Sequence, residues 1–122
     1  MYKPLNQCIT QSDELKKLIR ENPDLPIVVM VDYEVCVDDS FRWWFAPDIR
    51  FEVGDFLDCE QDVDDERVFD DKDDFEECLA DRLGDSGDYD ETSDEEFDRI
   101  VAEKLKEYEP YWKKVIYIRA MV

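Results

Sequence analysis

The feature that most constrains this chain is a run of acidic residues between positions 55 and 98. The run contains 22 Asp/Glu and three Lys/Arg, so it carries a formal charge of −19 out of −20 for the whole protein. A run of like charges is typical of solvated or disordered segments. This one also contains ten apolar residues at helical or strand spacing: Phe56, Leu57, Val63, Val68, Phe69, Phe75, Cys78, Leu79, Leu83 and Phe97. We therefore expect the run to fold and to display its carboxylates on an ordered surface.

The length and the remaining composition predict one domain. A chain of 122 residues, 43% of them hydrophobic, can bury one core, and we expect a single α+β domain over residues 1–122. Outside the acidic run there are 13 acidic and 12 basic residues, so the charge is a local property. Adaptation to high salt would spread acid over the whole surface, and it explains this distribution less well.

Two continuous apolar runs predict the central strands of the sheet. Residues 27–31 and 115–118 are too short for helices and rich in β-branched residues, and we expect them to pair and to be covered on both faces. Alternating patterns predict further strands at 33–37, 41–46 and 49–53 in an antiparallel meander, with a short edge strand at 67–69. The prediction is an antiparallel or mixed sheet of about four to six strands. Trp43 and Trp44 would face opposite sides of one strand, and we expect the core for either.

Three amphipathic segments predict helices at about 12–22, 71–83 and 93–108. Each has candidate N-cap residues: Thr10 or Ser12, Asp70 or Asp71, and Ser93. Glu96, three residues after Ser93, completes a capping box. The third helix begins with acidic residues and carries Lys104 and Lys106 in its second half, which suits the helix dipole.

The residue content excludes most familiar catalytic and metal sites. The chain has no histidine, which removes histidine bases, Ser-His and Cys-His nucleophile pairs and histidine ligands. Three glycines form no phosphate-binding loop, and the four cysteines form no Cys-x-x-Cys pair. The acidic windows do not fit a calcium loop, because Ser93 and Arg67 stand where glycine is needed. We therefore expect no catalytic residues, no metal site and no cofactor.

The sequence also predicts the compartment. No secretory signal and no membrane-spanning run is present, so we expect a cytoplasmic protein with reduced thiols. Cys36 and Cys78 fall on apolar faces and are expected to pack in the core rather than to react.

The remaining possibility is that the acidic surface binds a positively charged partner. DNA-binding proteins meet phosphates with Lys and Arg, and a folded array of carboxylates can occupy the same basic surface. Direct nucleic-acid binding is disfavoured by repulsion, and the oligomeric state is left open. We predict partner-binding carboxylates on the second helix and at the start of the third: Asp70, Asp73, Asp74, Glu77, Asp81, Asp90, Glu91, Asp94, Glu95 and Asp98.

A short α+β chain with a strongly acidic second half resembles the small inhibitors of phages and mobile elements, namely the anti-CRISPR and anti-restriction proteins that act as DNA mimics. Residues 21–32 are also similar to a segment that recurs in small proteins of bacterial phages and conjugative elements. The resemblance implies a non-enzymatic inhibitor that acts in the cytoplasm of a bacterial host cell and occupies the positively charged nucleic-acid-binding surface of an effector. An acidic adaptor or regulatory protein that binds a basic protein surface unrelated to nucleic acid is the alternative.

Overall fold

The structure, a computed structural model, describes residues 4–35 and 42–121 and has an α+β architecture. Its helices and strands follow in this order: α1 (Pro4–Glu21), β1 (Ile27–Val31), β2 (Asp48–Leu57), α2 (Lys72–Asp85), α3 (Asp94–Tyr108) and β3 (Trp112–Met121). Short 3₁₀ turns lie at Tyr33–Val35 and Glu109–Tyr111. The predicted fold class is confirmed, and the predicted second and third helices match α2 and α3 to within about two residues.

Within the described ranges the sheet has three strands in the order β1-β3-β2. β1 and β3 pair in parallel, with Ile27 opposite Ile116 and Val31 opposite Ala120, and the sheet is mixed. The prediction that these two apolar runs pair is confirmed. The antiparallel meander is wrong, because the parallel partner of β1 comes from the far end of the chain and follows a long crossover. The described sheet has three strands, slightly fewer than the four to six predicted.

The prediction that β1 is a central strand covered on both faces is wrong. β3 takes the central position, and β1 lies at the edge of the sheet. Ile27, Val29 and Val31 are 47%, 62% and 59% exposed. An apolar run indicates β-propensity and suitability for burial, but its position within the sheet depends on strand order, which the local pattern of one run does not determine.

Three further strand predictions fail within the described residues. After β1, the carboxylate of Asp32 accepts a hydrogen bond from Glu34 N at 2.9 Å, and this side-chain turn replaces a strand at Tyr33–Val35. Residues 42–46 form no strand either, and Trp43 is 81% exposed rather than in the core, whereas Trp44 is half-buried. Residues 36 and 37, as well as residue 41 of the predicted third strand, lie outside the described residues. Residues 67–69 are not a strand, although Leu57 N donates to Phe69 O at 3.2 Å.

Helix α1 begins earlier than predicted. Pro4 stands at its first position, where a missing N–H costs nothing. Thr10 and Ser12, the predicted caps, instead lie inside the helix, and their hydroxyls donate to the carbonyls of Asn6 and Cys8 at 3.4 and 2.7 Å. The side chain of Gln7 donates to Pro47 O at 2.8 Å and ties α1 to the segment before β2.

The chain divides into two compact units. Unit 1 comprises Met1–Gly54 and Lys114–Val122, and unit 2 comprises Asp55–Lys113. Unit 2 holds 25 acidic and seven basic residues, a net charge of −18, whereas unit 1 holds ten and eight, a net charge of −2. Nearly all of the net negative charge therefore belongs to unit 2, which contains the whole acidic run. A single domain over residues 1–122 stays a prediction.

In unit 1, β3 supplies the most deeply buried side chains, Val115, Ile116 and Tyr117. Gly54 of β2 lies against Tyr117 so closely that an added Cβ would stand 2.9 Å from the ring. The guanidinium of Arg119 lies over this ring, 4.4 Å from its centroid, and its Nε donates to Glu52 Oε1 at 2.6 Å. Glycine at position 54 is therefore what allows the tyrosine to be enclosed.

Candidate functional site

The acidic run folds on a core that unit 2 supplies. Four apolar side chains are buried together: Leu57, Phe69, Phe75 and Leu79. The ring of Phe75 stands edge-on to Phe69 and to Tyr108, each at 4.9 Å between centroids, and to Trp112 at 6.0 Å. Burying a large apolar side chain contributes about 1.5 to 3 kcal/mol, so this cluster offsets part of the repulsion between the surrounding carboxylates.

The first turn of α2 is fixed by an aspartate. Asp71 is the N-cap, and its carboxylate accepts hydrogen bonds from Asp73 N at 2.8 Å and Asp74 N at 3.2 Å. Of the two predicted caps, Asp71 is therefore the one that acts, and Asp70 is half-buried just before it. Such a cap contributes about 1 kcal/mol and sets where the carboxylates of α2 point.

Three of the predicted site residues form a stripe along α2. Asp73, Glu77 and Asp81 follow one another at intervals of four residues and are all exposed. On a helix this spacing places them on one face, about 6 Å apart along the axis and opposite Phe75 and Leu79. We call these three residues the α2 stripe. The burial of Phe75 and Leu79 on the opposite face fixes the orientation of α2 and therefore of the α2 stripe.

Asp74 differs from the α2 stripe. It is half-buried, and its carboxylate is ion-paired with the guanidinium of Arg67, which also lies 4.6 Å from the ring centroid of Phe69. The same arginine approaches Cys78 Sγ at 3.7 Å. Arg67 therefore belongs to the fold of unit 2, and it compensates one of the ten predicted carboxylates.

The second predicted set lies at the start of α3, and all five of its members are exposed: Asp90, Glu91, Asp94, Glu95 and Asp98. Ser93 is the N-cap, as predicted, and accepts from Glu96 N at 3.2 Å. Asp94 and Glu95 occupy the first turn, where the positive end of the helix dipole stabilises carboxylates. These two residues therefore have a structural role in the helix, which Glu77 and Asp81 of α2 lack.

A turn at the C-terminal end of α2 connects the two sets. Gly87 has φ of +79°, a conformation that residues other than glycine rarely adopt. Thr92 N then donates to Tyr89 O at 3.0 Å, and the ring of Tyr89 packs against Phe97 at 6.0 Å between centroids. Because α2 and α3 pack on each other within unit 2, this turn brings the C-terminal end of the α2 stripe and the start of α3 to the same end of the helix pair.

The loop at residues 61–67 is a further acidic element that the predicted set of partner-binding carboxylates does not include, and it is organised by one glutamine. Gln61 Oε1 accepts from Val63 N at 2.7 Å and from Asp64 N at 2.8 Å, while its Nε2 donates to the carbonyls of Asp64 and Arg67. The loop displays four exposed carboxylates: Asp62, Asp64, Asp65 and Glu66. A glutamine followed by Asp-Val-Asp-Asp carries no established turn signature, so the sequence pattern does not predict this loop.

Burial raises the pKa of three protic groups in the core of unit 2. For the Cys78 thiol, burial has the largest effect, and the carboxylates of Asp74 and Asp81 add to it while Arg67 opposes it. Burial, and then Asp58, raises the pKa of Cys59; burial, and then Asp62, raises that of Tyr108. These groups stay protonated and neutral at physiological pH. Cys8, Cys59 and Cys78 are free thiols, and Cys36 lies outside the described residues.

Residues 4–35 and 42–121 show neither a metal-binding cluster nor a membrane-spanning helix. No group of three or more His, Cys, Asp or Glu side chains there is arranged to hold a metal ion. None of the helices in the same ranges is long and apolar enough to cross a membrane. The carboxylates of unit 2 are numerous but spread over separate elements.

Comparison with protein-family models, curated proteins and solved structures finds no match for this chain. The candidate site therefore rests on its own geometry, which consists of the α2 stripe, the start of α3 and the loop at residues 61–67.

Proposed function

We propose that this protein is a non-enzymatic inhibitor that binds the positively charged nucleic-acid-binding surface of an effector protein. The observation that carries the proposal is that 25 carboxylates against seven basic residues are attached to one folded unit with its own aromatic core. A solvating tail needs no core, and its carboxylates have no fixed positions. Carboxylates fixed on helices can match a fixed array of Lys and Arg.

The charge spacing on α2 supports the nucleic-acid-like reading. Helix α2 carries six carboxylates in 14 residues: Asp73, Asp74, Glu76, Glu77, Asp81 and Asp85. At about 1.5 Å per residue this is one carboxylate per about 3.5 Å of helix axis. One strand of duplex DNA carries one phosphate per about 3.4 Å of its axis. These six carboxylates surround the helix, and Asp74 is ion-paired with Arg67, so a basic groove that approaches the face of the α2 stripe meets one carboxylate per about 6 Å, about half the density of a phosphate strand.

The resemblance to phage and mobile-element inhibitors suggests which class of protein this inhibitor binds. Effectors of bacterial defence, such as CRISPR nucleases and restriction enzymes, hold nucleic acid in basic channels and are the class we expect this inhibitor to bind. Binding would release counterions from the basic surface as DNA binding does, so its affinity would fall steeply with salt.

Competition tests this proposal against the adaptor alternative. The wild-type chain is used to recover partners from bacterial lysate, and the complex is then challenged with duplex DNA, single-stranded RNA and an uncharged polymer of similar size. We expect both nucleic acids to displace the partner and the uncharged polymer to leave it bound. A partner that no concentration of DNA or RNA displaces would show that the surface it offers is unrelated to nucleic acid, which would favour the adaptor.

A further inference from the structure

The open edge of β1 lies in unit 1, apart from the acidic run, and its backbone groups can be assigned from the register. Ile116 N donates to Pro26 O at 2.8 Å, and Asp32 N donates to Ala120 O at 2.9 Å. In a parallel ladder the bonding residues alternate, so Val28 and Met30 direct their N–H and C=O groups to β3. The N–H and C=O groups of Ile27, Val29 and Val31 point away from β3.

The same three residues carry the exposed side chains of β1. Paired residues of a parallel ladder share a face, so Val29 lies on the face of Ile118. That face is approached by α1, whose Cys8 and Leu15 line a cavity together with Ile118, Ile49 and Phe51. Because Val29 is 62% exposed, α1 covers this face over β2 and β3 and leaves it open over β1.

β1 lacks the usual protection of a sheet edge. Natural edge strands carry charges, prolines or bulges that prevent another strand from pairing. The five residues of β1, Ile-Val-Val-Met-Val, contain none of these. Within the described ranges no strand pairs with the outward side of β1.

The negative charge around the edge of β1 favours a positively charged strand as its binding partner. Residues 21–35 contain four carboxylates and no Lys or Arg: Glu21, Asp24, Asp32 and Glu34. Asp24 lies in the turn before β1, and Asp32 and Glu34 lie at the turn after it, so an antiparallel pair of two β1 strands centred on Val29 would bring the acidic turn at each end of one copy next to an acidic turn of the other. Like charges placed opposite each other destabilise strand pairing, and the two copies would each carry a net charge of −20. A second copy is therefore disfavoured, and a cationic strand is favoured.

We propose that the edge of β1 binds an extended peptide segment of a partner protein by strand addition. The segment alternates apolar and polar residues, so that its apolar side chains extend the surface of Ile27, Val29 and Val31. It carries Lys or Arg at both ends, near the acidic turns that hold Asp24 before β1 and Glu34 after it. Main-chain hydrogen bonds supply affinity in this mode, and the alternating side chains and the flanking charges supply specificity. This surface is separate from the α2 stripe and does not depend on the function proposed above.

The test uses the full chain and two synthetic peptides of equal charge. The probe is Lys-Lys-Val-Thr-Val-Thr-Val-Lys-Lys, and the control has proline in place of its central valine, which prevents strand pairing but keeps electrostatic attraction. At a probe concentration of ten times its dissociation constant, amide exchange at Ile27, Val29 and Val31 should slow about tenfold. Exchange at Val28 and Met30, already bonded to β3, should change much less. Equal protection by both peptides, or no protection by the probe, would overturn the proposal.

Substitutions in the chain provide a second test of strand addition at β1. Val29→Pro removes an outward N–H without removing a β1–β3 hydrogen bond, and it should abolish protection at Ile27 and Val31 by the probe while Val28 and Met30 stay protected. Asp24→Asn with Glu34→Gln should weaken binding of the lysine probe but not of a probe with serine at its ends, and equal affinity for both probes would refute the charge argument. If the outward amides become protected with rising protein concentration and no peptide, a second copy occupies the edge and the proposal is wrong.

Discussion

The guanidinium of Arg67 is ion-paired with the carboxylate of Asp74 on the first turn of α2. This ion pair neutralises the charge of Asp74, whereas the carboxylates of the α2 stripe keep theirs. Both side chains are about two-fifths exposed, so the pair contributes about 1 kcal/mol or less. Asp74→Asn should therefore lower the free energy of unfolding by about 1 kcal/mol or less and change partner affinity less than Glu77→Gln does. Chemical denaturation and a binding titration measure the two effects. A larger loss of affinity for Asp74→Asn than for Glu77→Gln would show that Asp74 meets the partner directly.

Phe75 is the centre of the aromatic cluster of unit 2. It is fully buried, and its ring contacts Phe69, Tyr108 and Trp112. Phe75→Ala should cost about 3 to 5 kcal/mol, because it removes the buried ring and leaves a cavity. Amide hydrogen exchange read out on α2 and α3 measures the loss directly. The substitution Phe56→Ala, at a half-buried position of the same unit, is the control and should cost less; equal costs would contradict the central position of Phe75.

Gly54→Ala tests the enclosure of Tyr117. The added Cβ would meet two ring carbons at 2.9 and 3.0 Å, and the ring is fully buried, so it has little room to move. Overpacking of this kind costs about 1 to 3 kcal/mol. Gly84→Ala is a matched control, because nothing lies within 4 Å of its added Cβ and the helix gains a better helix former. Thermal unfolding should show a lower midpoint for Gly54→Ala and an unchanged or higher one for Gly84→Ala.

Alkaline pH should destabilise unit 2. The pKa values of Cys59 and Cys78 are raised by burial above the ordinary value of 9.0, and that of Tyr108 above 10.0. The unfolded chain therefore releases these protons first as pH rises, and it binds fewer protons than the folded chain in this range. Stability from these groups is complete below about pH 9 and falls as pH rises towards the folded pKa values. Denaturation series at several pH values measure this slope, and Cys59→Ser with Cys78→Ser should make it shallower. A free energy of unfolding that rises in this range would contradict the assignment.

Local chemistry made much of this fold predictable. The capping residues Asp71 and Ser93 and the apolar stripe of α2 follow from spacing and hydrogen-bonding capacity within short segments. The pairing of the two apolar runs was predictable because both are short, continuous and rich in β-branched residues. The exposure of Glu77 and Asp81 follows from their positions opposite Phe75 and Leu79.

The remaining features depend on interactions that a local pattern does not encode. The position of β1 at the edge depends on β3, which lies 85 residues further along the chain from the first residue of β1 to the first residue of β3. The turn after β1 depends on the carboxylate of Asp32, which competes with strand hydrogen bonds. The loop at residues 61–67 depends on Gln61, whose four hydrogen bonds form only when the backbone closes around it.

The most direct test of the central claim compares two triple variants with equal charge change. Asp73→Asn, Glu77→Gln and Asp81→Asn neutralise the α2 stripe, whereas the control Asp13→Asn, Glu14→Gln and Glu21→Gln neutralises three exposed carboxylates of α1 in unit 1. Each is titrated against the partner recovered by the wild-type chain over a range of salt concentrations, after circular dichroism has confirmed folding.

We predict that neutralising the α2 stripe raises the dissociation constant at least tenfold and makes its salt dependence shallower, because fewer ion pairs form at the interface. The α1 control should change the dissociation constant by less than about twofold, because surface charges away from an interface are screened beyond about 10 Å at 0.1 M salt. An equal loss of affinity in both variants, or no loss in either, would contradict the account and would leave the acidic run as a determinant of solubility alone.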